Sequence, residues 1–354
     1  MTADTTPPAS GRCAACGEQV GGADSFCEAC GAELAPILVS DGDSTGPAGC
    51  SFCTSSSATA DGYCESCGRK MPSGRDHIEL DLGLLAGVTD RGLRHHRNED
   101  AMALAAASTE AGPVLVAVVC DGVSSSARPD EASLVAVQAA ARVLLTAART
   151  GEDPLTASPE AVRAAVAAVA GLAGPPGDPP AATFVSAVVT SEAATICWLG
   201  DSRAYWLAAG DGSAPEQLTR DDSVVEELVA AGLPADNALA SAQAHVVTRW
   251  IGADLSDPAP HLLRFEPPGP GALLLCSDGL WNYQPDAAGL AGLALPAALT
   301  DPLGAARALA SFAIDAGGAD NVTAVLAPFP PALPAPPDRG SAPASPDPMP
   351  RRTP

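Results

Sequence analysis

The chain has 354 residues, room for about two to three domains, so a core of roughly 250 residues plus a small appendage fits. With 42 acidic against 19 basic side chains and a formal charge of −23, its field repels polyanions, and neither a nucleic-acid nor a membrane partner is expected. The first thirty residues hold no basic region followed by an apolar stretch, so a cytoplasmic location without a secretory leader is expected. No run of about 18 uncharged apolar residues occurs, so no membrane span is expected either.

Of the eleven cysteines, eight fall at Cys13, Cys16, Cys27, Cys30, Cys50, Cys53, Cys64 and Cys67, which makes four successive C-x-x-C pairs. Ten residues separate Cys16 from Cys27, and ten separate Cys53 from Cys64, enough for a short hairpin in each half. A C-x-x-C pair presents two thiolates on one tight turn, and two such turns complete a tetrahedral site with sulfurs about 2.3 Å from zinc. Gly17, Gly31 and Gly68 follow three of the second cysteines, where the backbone must turn back toward sulfur. The segment resembles a double zinc ribbon, with one site from Cys13, Cys16, Cys27 and Cys30 and the other from Cys50, Cys53, Cys64 and Cys67. Two structural Zn2+ ions are expected: four sulfur ligands leave no open position, and each ion supplies roughly 10–16 kcal/mol of apparent folding energy.

Residues 35–49 are polar and Gly-rich and read as the link between the ribbons, while Pro72-Ser73-Gly74 closes the module. The expected division is residues 1–74 for the ribbons, 76–329 for the main domain, and 330–354 for a Pro-rich tail expected to be disordered. Within the main domain the strand-like runs are 79–88, 114–120, 184–190, 195–199, 273–276 and 322–326. Helical patterns cover 131–150, then a helix capped by Ser158 with Pro159 in its first turn and running to 170. Two more cover 223–231 and 303–316, stopped by Gly232 and Gly317. Strands in neighbouring groups and helices in blocks predict an α+β fold of packed sheets flanked by helices.

Three aspartates stand at the ends of apolar strands: Asp121, Asp278 and Asp320. A carboxylate beside a hydrophobic sheet is costly unless something positive compensates it, although an Asp-Gly pair also caps turns without any ion. Hard cations such as Mg2+ or Mn2+ favour such oxygen ligands. Asn98-Glu99-Asp100, Asp121-Gly122, Gly200-Asp201-Ser202-Arg203, Ser277-Asp278-Gly279 and Asp320-Asn321 together resemble, in order and spacing, the motifs of the protein phosphatase 2C (PPM) family. Residues 218–223 and 247–252 look like further segments of it.

The resemblance implies a four-layer αββα sandwich and metal-dependent hydrolysis of phosphoserine and phosphothreonine in proteins by a metal-bridged hydroxide. It implies that Asp121 bridges two Mg2+ or Mn2+ ions, with the Gly122 carbonyl on one and Asp278 and Asp320 on the other. Glu99 and Asp100 would act largely through bound water, and Asp201 would belong to a third, weaker ion. Partners would be phosphorylated substrates of Ser/Thr kinases, with an unidentified partner for the ribbons.

The match departs from the family at the phosphate clamp. Where an arginine is usual the chain has His95, preceded by Arg94, and neither a protonated His95 nor a shifted Arg94 is an identical replacement for a bidentate guanidinium. Ser124, Ser125 and Ser126 follow Asp121-Gly122-Val123 where glycines are usual. Two other readings stay open: a pseudophosphatase scaffold that binds phosphoproteins, and an adaptor acting through its ribbons. Cys120, Cys197 and Cys276 read as small core filler.

Overall fold

The computed structural model describes residues 11–12, 19–20, 29, 37–42, 50, 53, 55–59, 63–69, 71, 74–172, 178–210, 213–234, 246–252 and 259–331. The thiols Cys13, Cys16, Cys27 and Cys30 and the tail from 332 onward lie outside these residues.

In chain order the strands are β1 (Gly11–Arg12), β2 (Gln19–Val20), β3 (Leu38–Val39), β4 (His77–Asp81), β5 (Ala86–Asp90), β6 (Asp100–Thr109), β7 (Gly112–Asp121) and β8 (Ala181–Ala182). They continue with β9 (Phe184–Val189), β10 (Ala194–Leu199), β11 (Arg203–Ala208), β12 (Glu216–Gln217), β13 (Ile251–Gly252), β14 (His261–Phe265), β15 (Gly271–Cys276) and β16 (Val322–Phe329). Two six-stranded antiparallel sheets face each other, ordered β14-β10-β9-β7-β6-β3 and β12-β11-β15-β16-β5-β4.

Side-chain alternation builds four layers. Along β6, Met102 and Leu104 point between the sheets, joining Ile78, Ile196, Trp206 and Leu275, while Ala101, Ala103 and Ala105 point outward. Those small outward residues let helices Pro129–Thr150 and Pro154–Ala170 pack closely on the first sheet. On the second sheet, Leu274 and Cys276 of β15 meet Leu290, Leu309 and Ala313 from helices Ala287–Ala298 and Pro302–Ala316. The expected αββα sandwich is the observed fold. Cys120, Cys197 and Cys276 are buried filler within it, and burial raises all three thiol pKa values.

Several elements differ from the sequence reading. The run 79–88 is two strands, because Leu82 N and Leu85 O close a hairpin around Gly83 at φ 75°. The helix expected from Ser158 begins five residues earlier: Asp153 accepts from Leu155 N, Pro154 takes the first turn, and Ser158 Oγ donates inward to the Pro154 carbonyl. Helix Pro129–Thr150 is long and apolar enough to cross a membrane by composition, yet its apolar face is spent on the sheet. Most informative is residues 35–49: Leu38 and Val39 are not a free link but form β3, the outermost strand on β6.

Candidate metal centre

The sandwich ends in a rim where strand termini from both sheets meet. Asp100 opens β6 and Asp121 closes β7, and the two are cross-strand partners. Asp278 follows β15 and Asp320 precedes β16, an antiparallel pair whose ends therefore fall on the same rim. Asp201 follows β10. Turns this tight need glycine: a Cβ on Gly122 would lie 2.4 Å from the Pro129 carbonyl oxygen, and one on Gly279 would lie 1.9 Å from that of Asn321.

The rim thus gathers carboxylates, with His95 against Asp320 and Arg203 near Asp201 as basic neighbours. Burial, followed by repulsion from the other rim acids, raises the pKa values of Asp100, Asp121, Asp201 and Asp278. Asp121 feels Asp100, Asp278, Asp201 and Asp320 together, which places all five in one electrostatic cluster. Asp100 Oδ2 accepts from Ser277 Oγ and Thr323 Oγ1, each at 2.7 Å, whereas its Oδ1 is buried without a partner. Asp278 Oδ2 accepts from Asn282 Nδ2 at 3.1 Å, and its Oδ1 is likewise orphaned. Buried unpartnered carboxylate oxygens facing a like-charged cluster fit a divalent cation bound by oxygen. Among the described residues, no three of these acids bring an oxygen each within 4.8 Å of one another.

Other predicted residues are placed differently. Glu99 is buried, but Arg97 Nε donates to its Oε1 at 3.0 Å and Ser124 Oγ to its Oε2 at 2.5 Å, so both oxygens already have protein donors. His95 Nε2 lies 3.0 Å from Asp320 Oδ1, and its carbonyl accepts from Arg91 at 2.7 Å. Arg94, His95, His96, Arg97, Glu99 and Ala319 line an open cavity of about 410 Å3 beside the rim. The Gly122 amide donates to the Glu99 carbonyl at 3.1 Å, tying the Asp121 turn to the Glu99 segment.

Residues outside the expected ligand set orient the acids. Besides Ser277 and Thr323, Thr183 Oγ1 accepts from Asp121 N, Asn321 Oδ1 accepts from Glu99 N, and Trp281 Nε1 donates to the Asp201 carbonyl at 2.9 Å. Arg203 lies over the Trp281 ring at 3.6 Å and pairs with Asp221, which locks that corner. Only Ser277, Asn282 and Asn321 carried a local signal, being polar residues adjacent to, or one helical turn from, a rim aspartate.

The second cysteine quartet forms a separate centre. One sulfur from each of Cys50, Cys53, Cys64 and Cys67 lies within 4.8 Å of the others, with Cys50–Cys67 and Cys53–Cys64 both at 3.5 Å. A tetrahedron with zinc–sulfur bonds of about 2.3 Å has sulfurs about 3.8 Å apart, close to this spacing. A backbone bond at Cys67 draws the Cys64 pKa down to about 6, while Cys53 and Cys67 are raised beside their neighbouring thiols, so the four share charge as one cluster. Gly68, at φ 72°, makes the predicted turn.

The fold and the site together define a four-layer αββα protein with buried carboxylates gathered at one rim. Residues 91–301 match the family model described as Protein phosphatase 2C. The chain belongs to that family. It is 31% identical over 246 residues to the serine/threonine protein phosphatase PstP of Mycobacterium tuberculosis, an alignment covering 68% of this chain and 44% of PstP. To the serine/threonine phosphatase stp of Listeria innocua it is 30% identical over 146 residues, 41% of this chain and 55% of the relative. The chain thus spans about half the length of these curated relatives. Among solved structures, the PPM Ser-Thr phosphatase MsPP of Mycobacterium smegmatis, in complex with cacodylate, gives TM-score 0.55 at 28% identity, covering 69% of this chain and 97% of that one. The catalytic domain of PstP, solved with two manganese ions, gives 0.54 at 25% identity, with coverages of 69% and 97%.

Proposed function

We propose that this chain hydrolyses phosphoserine and phosphothreonine in proteins, using Mg2+ or Mn2+ held by the acidic rim. The observation that carries this is the set of buried rim aspartates, raised by burial and by one another, with two orphaned carboxylate oxygens. Asp121, Asp278, Asp320 and Asp201, together with the Gly122 carbonyl, would hold the ions. When bound, two such cations supply Lewis acidity and a water acidic enough to act as the nucleophile at neutral pH. No cysteine is needed, since the three in the domain are buried and hard to ionise.

The residues around the rim do the rest. Asp100, fixed by Ser277 and Thr323, and Glu99, fixed by Arg97 and Ser124, present oriented acceptors to waters around the ions. Arg94 on the adjacent cavity is the group to meet substrate phosphate, while His95, held by Asp320, is aimed at the rim. That pairing favours one second reading, a phosphoprotein-binding scaffold with weak turnover, because a histidine committed to Asp320 gives up phosphate contact. The cysteine module is assigned to structural zinc and to partner binding or regulation, in an intracellular setting that keeps thiols reduced.

Hydrolysis of p-nitrophenyl phosphate and of a phosphothreonine peptide with Mn2+, compared between wild type and Asp278→Asn, tests the enzyme. Metal-dependent turnover lost in the variant is expected; turnover indifferent to metal or to Asp278 overturns the proposal. Metal binding without turnover in the wild type selects the scaffold.

A further inference from the structure

The residues just outside the family match reach into the rim. Arg75 precedes the matched segment, which begins at residue 91, and it is partly buried. Its Nη1 donates to the Asp130 carbonyl at 2.7 Å and its Nη2 to the Asp100 carbonyl at 2.9 Å. The Arg75 carbonyl accepts from Asn98 Nδ2 at 3.2 Å, and Asn98 Oδ1 accepts from the Asp100 amide at 3.2 Å. Both backbone groups of Asp100 are therefore fixed by Arg75 or by its own partner. Asp130 lies in the first turn of helix Pro129–Thr150, whose Ser133 Oγ donates to the Glu99 carbonyl, and Gly122 packs on Pro129 of the same turn. One guanidinium thus joins the Asp100 strand to the turn that backs Gly122.

The chain that carries Arg75 is anchored at a second point. Upstream, β3 pairs with β6 through Leu38↔Leu104 and Val39↔Ala103, and Ser40 bonds both backbone groups of Met102. The next glycine, Gly42, returns to the Arg75 stem: a Cβ there would sit 3.3 Å from Arg75 Cγ and 3.5 Å from the Gly74 carbonyl carbon. The described chain thus returns at Gly42 to Gly74–Arg75, and the Cys50, Cys53, Cys64, Cys67 cluster lies between these two points in sequence. A cross-link within a loop lowers the entropic cost of holding its ends together.

We infer that Arg75 is a positioning residue of the acidic rim, fixing Asp100 and the Pro129 turn through their carbonyls. It is held at the contact between Gly42 and Gly74–Arg75, and the cysteine quartet, between these points in sequence, staples the intervening chain. The inference rests on the rim being a cation site. An oriented outer ligand partner typically matters 10- to 100-fold to metal affinity, so Arg75→Ala is expected to weaken Mn2+ binding by about that factor. Arg75→Lys keeps the charge and can reach one carbonyl, so it should recover part of the loss. Cys53→Ser/Cys64→Ser, which opens the staple, should move Mn2+ affinity in the same direction by less.

The test is Mn2+ calorimetry on the full chain, with zinc content and thermal melting recorded for each variant. The expected result is weakened Mn2+ binding in folded Arg75→Ala with zinc content unchanged, and partial rescue by Arg75→Lys. Wild-type Mn2+ affinity in folded Arg75→Ala overturns the inference. If the alanine variant does not fold, Arg75→Lys decides: wild-type Mn2+ affinity in it overturns the inference, and weakened affinity at a wild-type melting temperature supports it. Calorimetry needs no phosphoester, so a wild type that binds Mn2+ but does not hydrolyse overturns the phosphatase reading and leaves this result intact.

Discussion

Two groups of buried acids lie close to the same end of the sandwich and are treated oppositely by the fold. At the start of the second sheet, His77 is sandwiched between Asp90 Oδ2 at 2.6 Å and Glu79 Oε1 at 3.2 Å, and Arg307 pairs with Glu79 from helix Pro302–Ala316. The His77 pKa rises to about 9 despite its burial, because Asp90 and Glu79 accept its protons, and the Glu79 pKa falls to about 2 under His77 and Arg307. At the rim, by contrast, Asp100, Asp121, Asp201 and Asp278 are buried with one another, and all are pushed upward. Acids that carry their own cations hold a structure together. Acids that lack them are the ones proposed to bind a cation from solution.

The sharpest way to break this contrast is to neutralise one rim acid. Asp121→Asn should lower kcat/KM on p-nitrophenyl phosphate by about a thousandfold or more. The same change should raise the melting temperature of the metal-free protein, since one repelling charge is gone. A fall in that melting temperature would mean that the rim is internally balanced after all.

The opposite experiment removes the cation from the balanced group. His77→Ala leaves Asp90 and Glu79 buried with less compensation and should cost about 3–5 kcal/mol in urea unfolding, with Mn2+ affinity retained. Loss of Mn2+ binding at undiminished stability would merge the two groups into one site.

The same pair sets a pH dependence. A folded His77 pKa of about 9 lies above its unfolded value of about 6.5, so its stabilisation is complete below that value and fades as pH rises through about 9. The loss is on the order of 3 kcal/mol. Glu79, with its pKa depressed to about 2, contributes fully above its usual range and loses its share as pH falls through about 2. Urea midpoints should therefore decline from pH 6.5 to 9.5 in the wild type and stay flatter in His77→Ala.

The smallest effect belongs to Ser124, where the family usually has glycine. Ser124→Ala removes one donor from Glu99 and should lower kcat/KM about two- to tenfold with little change in stability. No change would mean that Arg97 alone orients Glu99.

Much of the centre was legible because its chemistry is local. C-x-x-C pairs can be counted, and an aspartate ending a run such as 114–120 declares itself by its cost. Of the strands missed, β6 is alanine-rich, and alanine disfavours strands until a close-packed helix needs a smooth face, whereas β11 and β14 carry Tyr, Trp, Leu and Phe that do favour strands. β3 was missed because two residues of strand have no periodicity to read, and only pairing with β6 defines them.

The sequence by itself determined the inventory: thiols in ligand spacing, acids at strand ends, and a family order of motifs. Tertiary structure alone decided which acids are left uncompensated. Asp100 meets Ser277 and Thr323 across 177 and 223 residues, while Glu79 finds Arg307 across 228. Whether a carboxylate is balanced depends on desolvation and on the few groups within hydrogen-bond reach, and both are fixed only when distant strands and helices close over it.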